Sequence, residues 1–156
     1  MGTNYYFRKK SVDATRIEMI VDSLNHDFRS LVAQYNEKLQ EAFSDMELDS
    51  TYEFDDSHWF YSPDSREDYG DIHVGKLSSG WKPLLQANAQ FHSLQTLKQW
   101  HEQNKHDHVF ITGDEKTVPF DDFLKEIAER NQNDNFSGHG YSKDSDGYEW
   151  TRTEFF

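Results

Sequence analysis

Residues 71–81, DIHVGKLSSGW, set an imidazole, an ammonium, two hydroxyls, two glycines and an indole within eleven positions. With His73 as base, Lys76 as cation and Ser78 or Ser79 as nucleophile, they offer the parts of a nucleophilic site, because a hydroxyl needs a neighbouring base to attack at neutral pH. Strand parity argues against the assembly. Residues three apart on a strand point to opposite faces, so His73 and Lys76 are expected to diverge. The Gly75-Lys76 step evokes a phosphate loop, yet the G-x-x-x-x-G-K-[ST] pattern is not completed here, because Leu77 stands where its final Ser or Thr is needed. A hairpin is the economical expectation, with Ser78, Ser79 and Gly80 as the turn and Trp81 as a packing anchor. His73, Gly75, Lys76, Ser78, Gly80 and Trp81 are kept as candidates for ligand contact, with no catalytic residue assigned.

Other reactive patterns are incomplete. His92, His101, His106 and His108 invite a metal, and His106 and His108 would share a strand face with Asp107 turned away, but no recognised ligand spacing accompanies them. Asp144-Ser145-Asp146-Gly147 matches a fragment of a calcium loop and lacks its third acid and distal glutamate, so a hairpin turn is expected instead. The chain has no cysteine, which removes disulfides, thiolate catalysis and cysteine-held metals. The expectation is no metal and no cofactor.

Charge says more than any motif. Sixteen Lys and Arg stand against 29 Asp and Glu, a formal net charge of -13 over 156 residues. Such a field repels phosphates, so direct nucleic-acid binding is not expected, whereas basic partners are attracted. Much of the excess lies in residues 45–71, where Asp45, Glu47, Asp49, Glu53, Asp55, Asp56, Asp64, Glu67, Asp68 and Asp71 face one cation, Arg66. Tyr52, Phe54, Trp59, Phe60, Tyr61 and Tyr69 are threaded among them. Aromatic anchors mixed with carboxylates suit a surface that grips a basic protein. The alternative is a loop whose rings fold back onto the core while its acids face water.

The elements that would position these residues follow from periodicity. Residues 3–9 read as an edge strand with Tyr5 and Phe7 on one face and Tyr6 and Arg8 on the other. From about Ala14 to Met46, Ile17, Ile20, Val21, Leu24, Phe28, Leu31, Val32, Tyr35, Leu39 and Phe43 recur at steps of three and four, an amphipathic helix started by Asp13 or by a Thr15/Glu18 capping box. Its stripe is expected to join the core of the domain, with a homodimer seam or a partner groove as the alternative. Ser93 caps a helix carrying Leu94, Leu97 and Trp100; residues 108–112 form a strand; Pro119 opens a helix whose inner face is Phe120, Phe123, Leu124 and Ile127. Residues 131–147 read as a flexible loop and the tail YEWTRTEFF as a final strand. The sum is a single α+β domain over 1–156, a small mostly antiparallel sheet with one long N-terminal helix and two shorter ones. No window is apolar enough for a membrane span, and a cytoplasmic location is expected.

One resemblance rests on particular residues. Thr3-Asn4-Tyr5-Tyr6 near the start, then Ile72-His73-Val74-Gly75-Lys76, a Ser-Ser-Gly turn and Trp81-Lys82, resemble a group of small bacteriophage and prophage proteins that open with TNYY and carry an H-[IL]-G-K-x-S-x-G-W core. Some members place a CxxC pair before that core; the long helix and acidic loop stand there instead, so no zinc role carries over. The resemblance implies origin rather than mechanism: an accessory protein of an infected or lysogenic bacterium. Joined to the charge reading, it gives the expectation of a host-takeover or counter-defence protein that binds a basic host protein or nucleic-acid-binding protein. The alternative expectation is a small enzyme or a nucleotide- or anion-binding module centred on the hairpin.

Overall fold

A computed structural model describes residues 2–49, 53–55, 57 and 59–155. Two of the expected partner-binding positions, Tyr52 and Asp56, lie outside the described residues. The elements in order are β1 (Gly2–Lys9), α1 (Ala14–Asp45), β2 (Ile72–Ser78), β3 (Leu84–Gln86), α2 (Leu94–Asn104), β4 (His108–Thr112), α3 (Phe120–Arg130), β5 (Tyr141–Lys143) and β6 (Glu149–Thr151). They build an α+β fold around one six-stranded sheet of order β4-β1-β2-β3-β6-β5, antiparallel except for the β3-β6 pair. No helix among the described residues is long and apolar enough to cross a membrane. The chain forms two compact units, Asp13–Pro63 and the remainder.

In the sheet unit, α2 and α3 cover one face. Alternation along β1 sends Tyr5 and Phe7 to that face, where Phe7 meets Trp100, Phe110 and Phe120 at ring-centroid distances of 4.8–5.7 Å and Tyr5 meets Phe123 at 4.9 Å. Val74, Leu85, Phe91, Leu97, Ile127 and Trp150 complete a core that is closed to solvent. Ser93 and Thr96 form a reciprocal capping box at the start of α2, and Pro119 stands at the N-cap of α3 with Asp121 and Asp122 in the first turn.

β1 is not an edge strand. It pairs with β4 along one edge and with β2 along the other, and Tyr6 and Arg8, which look like solvent-facing residues, are half-buried and buried. The 131–147 segment is not loop throughout, since Tyr141–Lys143 pairs with β6 as a three-residue strand too short to show a period. The acidic turn that follows is built around Asp144. Its two oxygens accept from the backbone N–H of Asp146 (3.0 Å), Tyr148 (2.9 Å) and Leu94 (2.8 Å) and from the indole N–H of Trp150 (2.8 Å), tying the hairpin to the start of α2.

In the other unit, α1 contains no Gly or Pro and runs for 32 residues. Asp13 accepts from Arg16 N–H at its start. At its end Glu47 takes a positive φ of 56°, with Glu47 N–H on Ser44 O and Leu48 N–H on Phe43 O, a Schellman closure made without glycine. Within its own unit α1 buries only Val32, so most of the stripe expected to join a core is not buried there. Ile20, Leu24, Leu31 and Tyr35 are exposed. Periodicity shows that a helix is amphipathic without saying what its apolar face meets.

Candidate functional site

The acidic aromatic segment divides between the units. Glu53, Phe54, Asp55, Trp59, Phe60 and Tyr61 lie against α1, held by two asparagines on one helix face. Asn25 donates to Phe60 O (2.8 Å) and accepts from Phe60 N–H (2.6 Å); Asn36 donates to Phe54 O (3.3 Å) and accepts from Phe54 N–H (2.8 Å). The two asparagines stand eleven residues, about 16 Å, apart on the helix, so the two pinned residues of this strap, Phe54 and Phe60, follow α1 in reverse order. Its rings are fixed by neighbours: Phe60 edge-on to Phe28 (6.5 Å), Phe54 edge-on to Tyr35 (6.0 Å), and the Arg29 guanidinium 4.5 Å above Trp59.

These rings do not fold away. Phe54, Trp59, Phe60 and Tyr61 are 45%, 46%, 55% and 79% exposed. By sequence, Asp13–Pro63 carries twelve carboxylates against Arg16, Arg29 and Lys38, a formal -9 of the chain's -13. Asp49 is exposed beyond the end of α1.

Asp64, Glu67, Asp68 and Tyr69 belong to the sheet unit. Asp64 and Asp68 are used in their own turn, Asp64 Oδ1 accepting from Arg66 N–H (2.8 Å) and Asp68 Oδ2 from Asp64 N–H (2.8 Å). Tyr69 is half-buried, its ring 5.1 Å from the Arg8 guanidinium. That guanidinium is gripped by a fork from Asp71 (Nε to Oδ1 2.8 Å, Nη2 to Oδ2 2.6 Å) and by Glu115, which reaches it from a left-handed backbone position at φ 67°. Hydrogen bonds to Asp71 hold Arg8 more firmly protonated than usual, and desolvation does not offset them. Four of its five N–H groups are engaged, so Arg8 is a structural cation.

No family model, curated protein or solved structure matches the chain.

The hairpin residues fall differently from their expected parity. Tyr5 pairs with Gly75 and Tyr6 with His73, so β2 carries one extra residue, Val74, a bulge that reverses the alternation. His73 and Lys76, opposite Tyr6 and Asn4, therefore share a face rather than diverging. They still do not share a cavity. A groove of about 730 Å³ is lined by His73 with Arg66, Asp71, Gln86, Arg152 and Phe155, and neither Lys76 nor Ser78 lines it. The imidazole is sandwiched between Tyr6 (4.9 Å) and Phe155 (4.6 Å), with Nε2 3.1 Å from Asn4 Oδ1. Burial, then the charges of Arg66 and Lys76, lowers its pKa to about 4. At neutral pH it is an uncharged packing group, too weakly basic to take a proton from a serine.

Gly75 is required by close approach, since a Cβ there would lie 2.8 Å from Leu84 O, and Gly80 by its φ of 81° in the turn. Trp81 does not anchor the hairpin; it is 43% exposed. Asn133 and Asn135 hold the turn instead, donating to Trp81 O (3.2 Å) and Gly80 O (3.1 Å).

Asp107 does not turn away from the histidines. It sits in the turn before β4, its carboxylate 2.6 Å from His108 Nδ1 and 3.7 Å from His106 Nε2. The hydrogen bond from His108 lowers its pKa. No group of three ligating side chains gathers among the described residues.

Sequence reasoning missed Asn25, Asn36 and Arg29. A signal was present: asparagine is a poor helix-interior residue, and two of them eleven apart on the face of Val32 need a reason.

Proposed function

We propose that the protein acts by binding a basic protein through the helix-and-strap unit, Asp13–Pro63, and not by catalysis. The observation that carries this reading is the presentation of Phe54, Trp59, Phe60 and Tyr61, all at least 45% exposed, on main chain pinned by Asn25 and Asn36 within a segment of formal charge -9. Aromatic rings held in place lose little freedom on contact, and carboxylates around them raise the rate of encounter with a cationic surface. The half-buried, neutral His73 and the ion-paired Arg8 support the same reading, since neither offers reactive chemistry near pH 7. The likeness to small phage and prophage proteins supports a partner in a bacterial host, a basic protein such as one that itself binds nucleic acid, engaged for takeover or counter-defence.

Affinity capture from bacterial lysate with the full chain, in parallel with a Trp59→Ser/Phe60→Ser/Tyr61→Ser variant, tests it. A basic protein retained at about 50 mM salt, released by about 300 mM and lost with the variant is expected. Equal capture by the variant, or a partner indifferent to salt, overturns the reading.

A further inference from the structure

Beside the strap, α1 presents a second line of apolar side chains, exposed at Ile20, Leu24 and Leu31 and meeting the strap at Tyr35, whose ring stands edge-on to Phe54. Ile17, Ile20, Leu24, Leu31 and Tyr35 recur at steps of three, four and seven on one side of the helix, and the last four are 50%, 47%, 63% and 46% exposed. Met19, Ile20 and Leu24 also line a shallow groove of about 500 Å³ at the start of the helix, with Asp13 and Arg16 at its polar edge. From Ile17 to Tyr35 the line rises about 27 Å, five turns. A row at this spacing is what a second helix packs against, ridges into grooves.

We propose that this line is the seat of a basic amphipathic helix of about five turns belonging to the partner protein. The inference rests on the binding reading above and names the shape of the partner. Charge selects the occupant. Asp27 stands one turn from both Leu24 and Leu31, Asp13 lines the groove at the start of the helix together with Arg16, and the unit that carries the line has twelve carboxylates against three cations. A helix with an apolar face and lysines or arginines beside it satisfies both. A second copy of this chain satisfies only the first, because it brings another -9 to the contact. The strap supplies one wall: its exposed rings lie against the neighbouring face of α1, where Asn25 and Asn36 hold them.

The test uses the full chain and a fluorescently labelled synthetic 18-residue peptide of leucine and lysine, with leucines at helical spacing, read by anisotropy. A scrambled peptide of the same composition is the control for charge alone. The helical peptide is expected to bind at least tenfold more tightly than the scrambled one, and to weaken at least tenfold between about 50 and 300 mM salt. Leu24→Ser/Leu31→Ser, at exposed positions where circular dichroism should show the helix intact, is expected to weaken it at least tenfold. Equal binding of both peptides, or full affinity in the leucine variant, overturns the proposal. So does a concentration-dependent dimer that the leucine variant dissociates, which would make a second copy the occupant. Loss with the Trp59/Phe60/Tyr61 variant but not with the leucine variant overturns this inference while leaving the binding reading standing. Failure of every basic ligand to bind removes both.

Discussion

Asn25 and Phe60 hold each other by both main-chain groups of the phenylalanine, an amide N–H to Phe60 O and an amide oxygen from Phe60 N–H. Because only backbone atoms are read, the grip fixes the path of the strap and leaves its side chains outward. Asn36 repeats it at Phe54. Four exposed hydrogen bonds at roughly 1 kcal/mol each hold Phe54 and Phe60 against α1 with help from the ring contacts. Asn25→Leu/Asn36→Leu should therefore release the strap without unfolding α1. Amide exchange at Phe54 and Phe60 is expected to accelerate at least tenfold while the helical circular dichroism signal stays; unchanged protection would mean the rings alone hold the strap.

His73 makes stability depend on pH in a definite direction. Its folded pKa of about 4 lies below the unfolded 6.5, so between those values the unfolded chain binds the extra proton. The contribution is whole above about pH 6.5 and is lost as pH falls to 4, by about 3 kcal/mol in all. His73→Phe keeps the stack between Tyr6 and Phe155 and should flatten that part of the curve. The wild-type denaturant midpoint should fall relative to that of His73→Phe as pH drops from 6.5 to 4; parallel curves would assign the acid loss to other groups.

Arg8 is the buried cation of the sheet. Arg8→Met leaves the Asp71 carboxylate, 2% exposed, without its partner, and a loss of about 3–5 kcal/mol is expected in urea unfolding. Arg8→Met/Asp71→Leu should recover part of it. A double variant no better than the single one would contradict the pairing.

Asp144 accepts four N–H groups, among them the indole of fully buried Trp150. Asp144→Ala should cost about 2–4 kcal/mol, because buried donors lose their acceptor, and Asp144→Asn, which keeps one oxygen, less. Thermal denaturation ranks the three; equal midpoints for Ala and wild type would show that water replaces the carboxylate.

How far these features could be read from the chain depends on how local their causes are. The span of α1, its Asp13 cap, the Ser93 cap and the Pro119 start rest on signals within one turn, and all lie close to where they were expected. The Val74 bulge depends on pairing with β1, seventy residues away, so parity placed Lys76 on the wrong face. β1 looked like an edge because Arg8 looked solvated; its carboxylates arrive from positions 71 and 115. The 71–81 cluster of reactive residue types is what a tight hairpin also needs: a turn serine, a glycine at positive φ and another where the strands crowd. The strap was legible as acid and ring, while its path along α1 was not, since a side-chain grip on main chain leaves no mark in the gripped residues.

The most direct measurement is a two-dimensional amide NMR titration of the full chain with the basic partner recovered by affinity capture. Shifts are expected at Leu24, Leu31, Phe54, Trp59, Phe60 and Tyr61, diminishing as salt is raised, with His73, Gln86 and Arg152 unmoved. Shifts centred on the His73 groove, with the strap and α1 silent, would contradict the account.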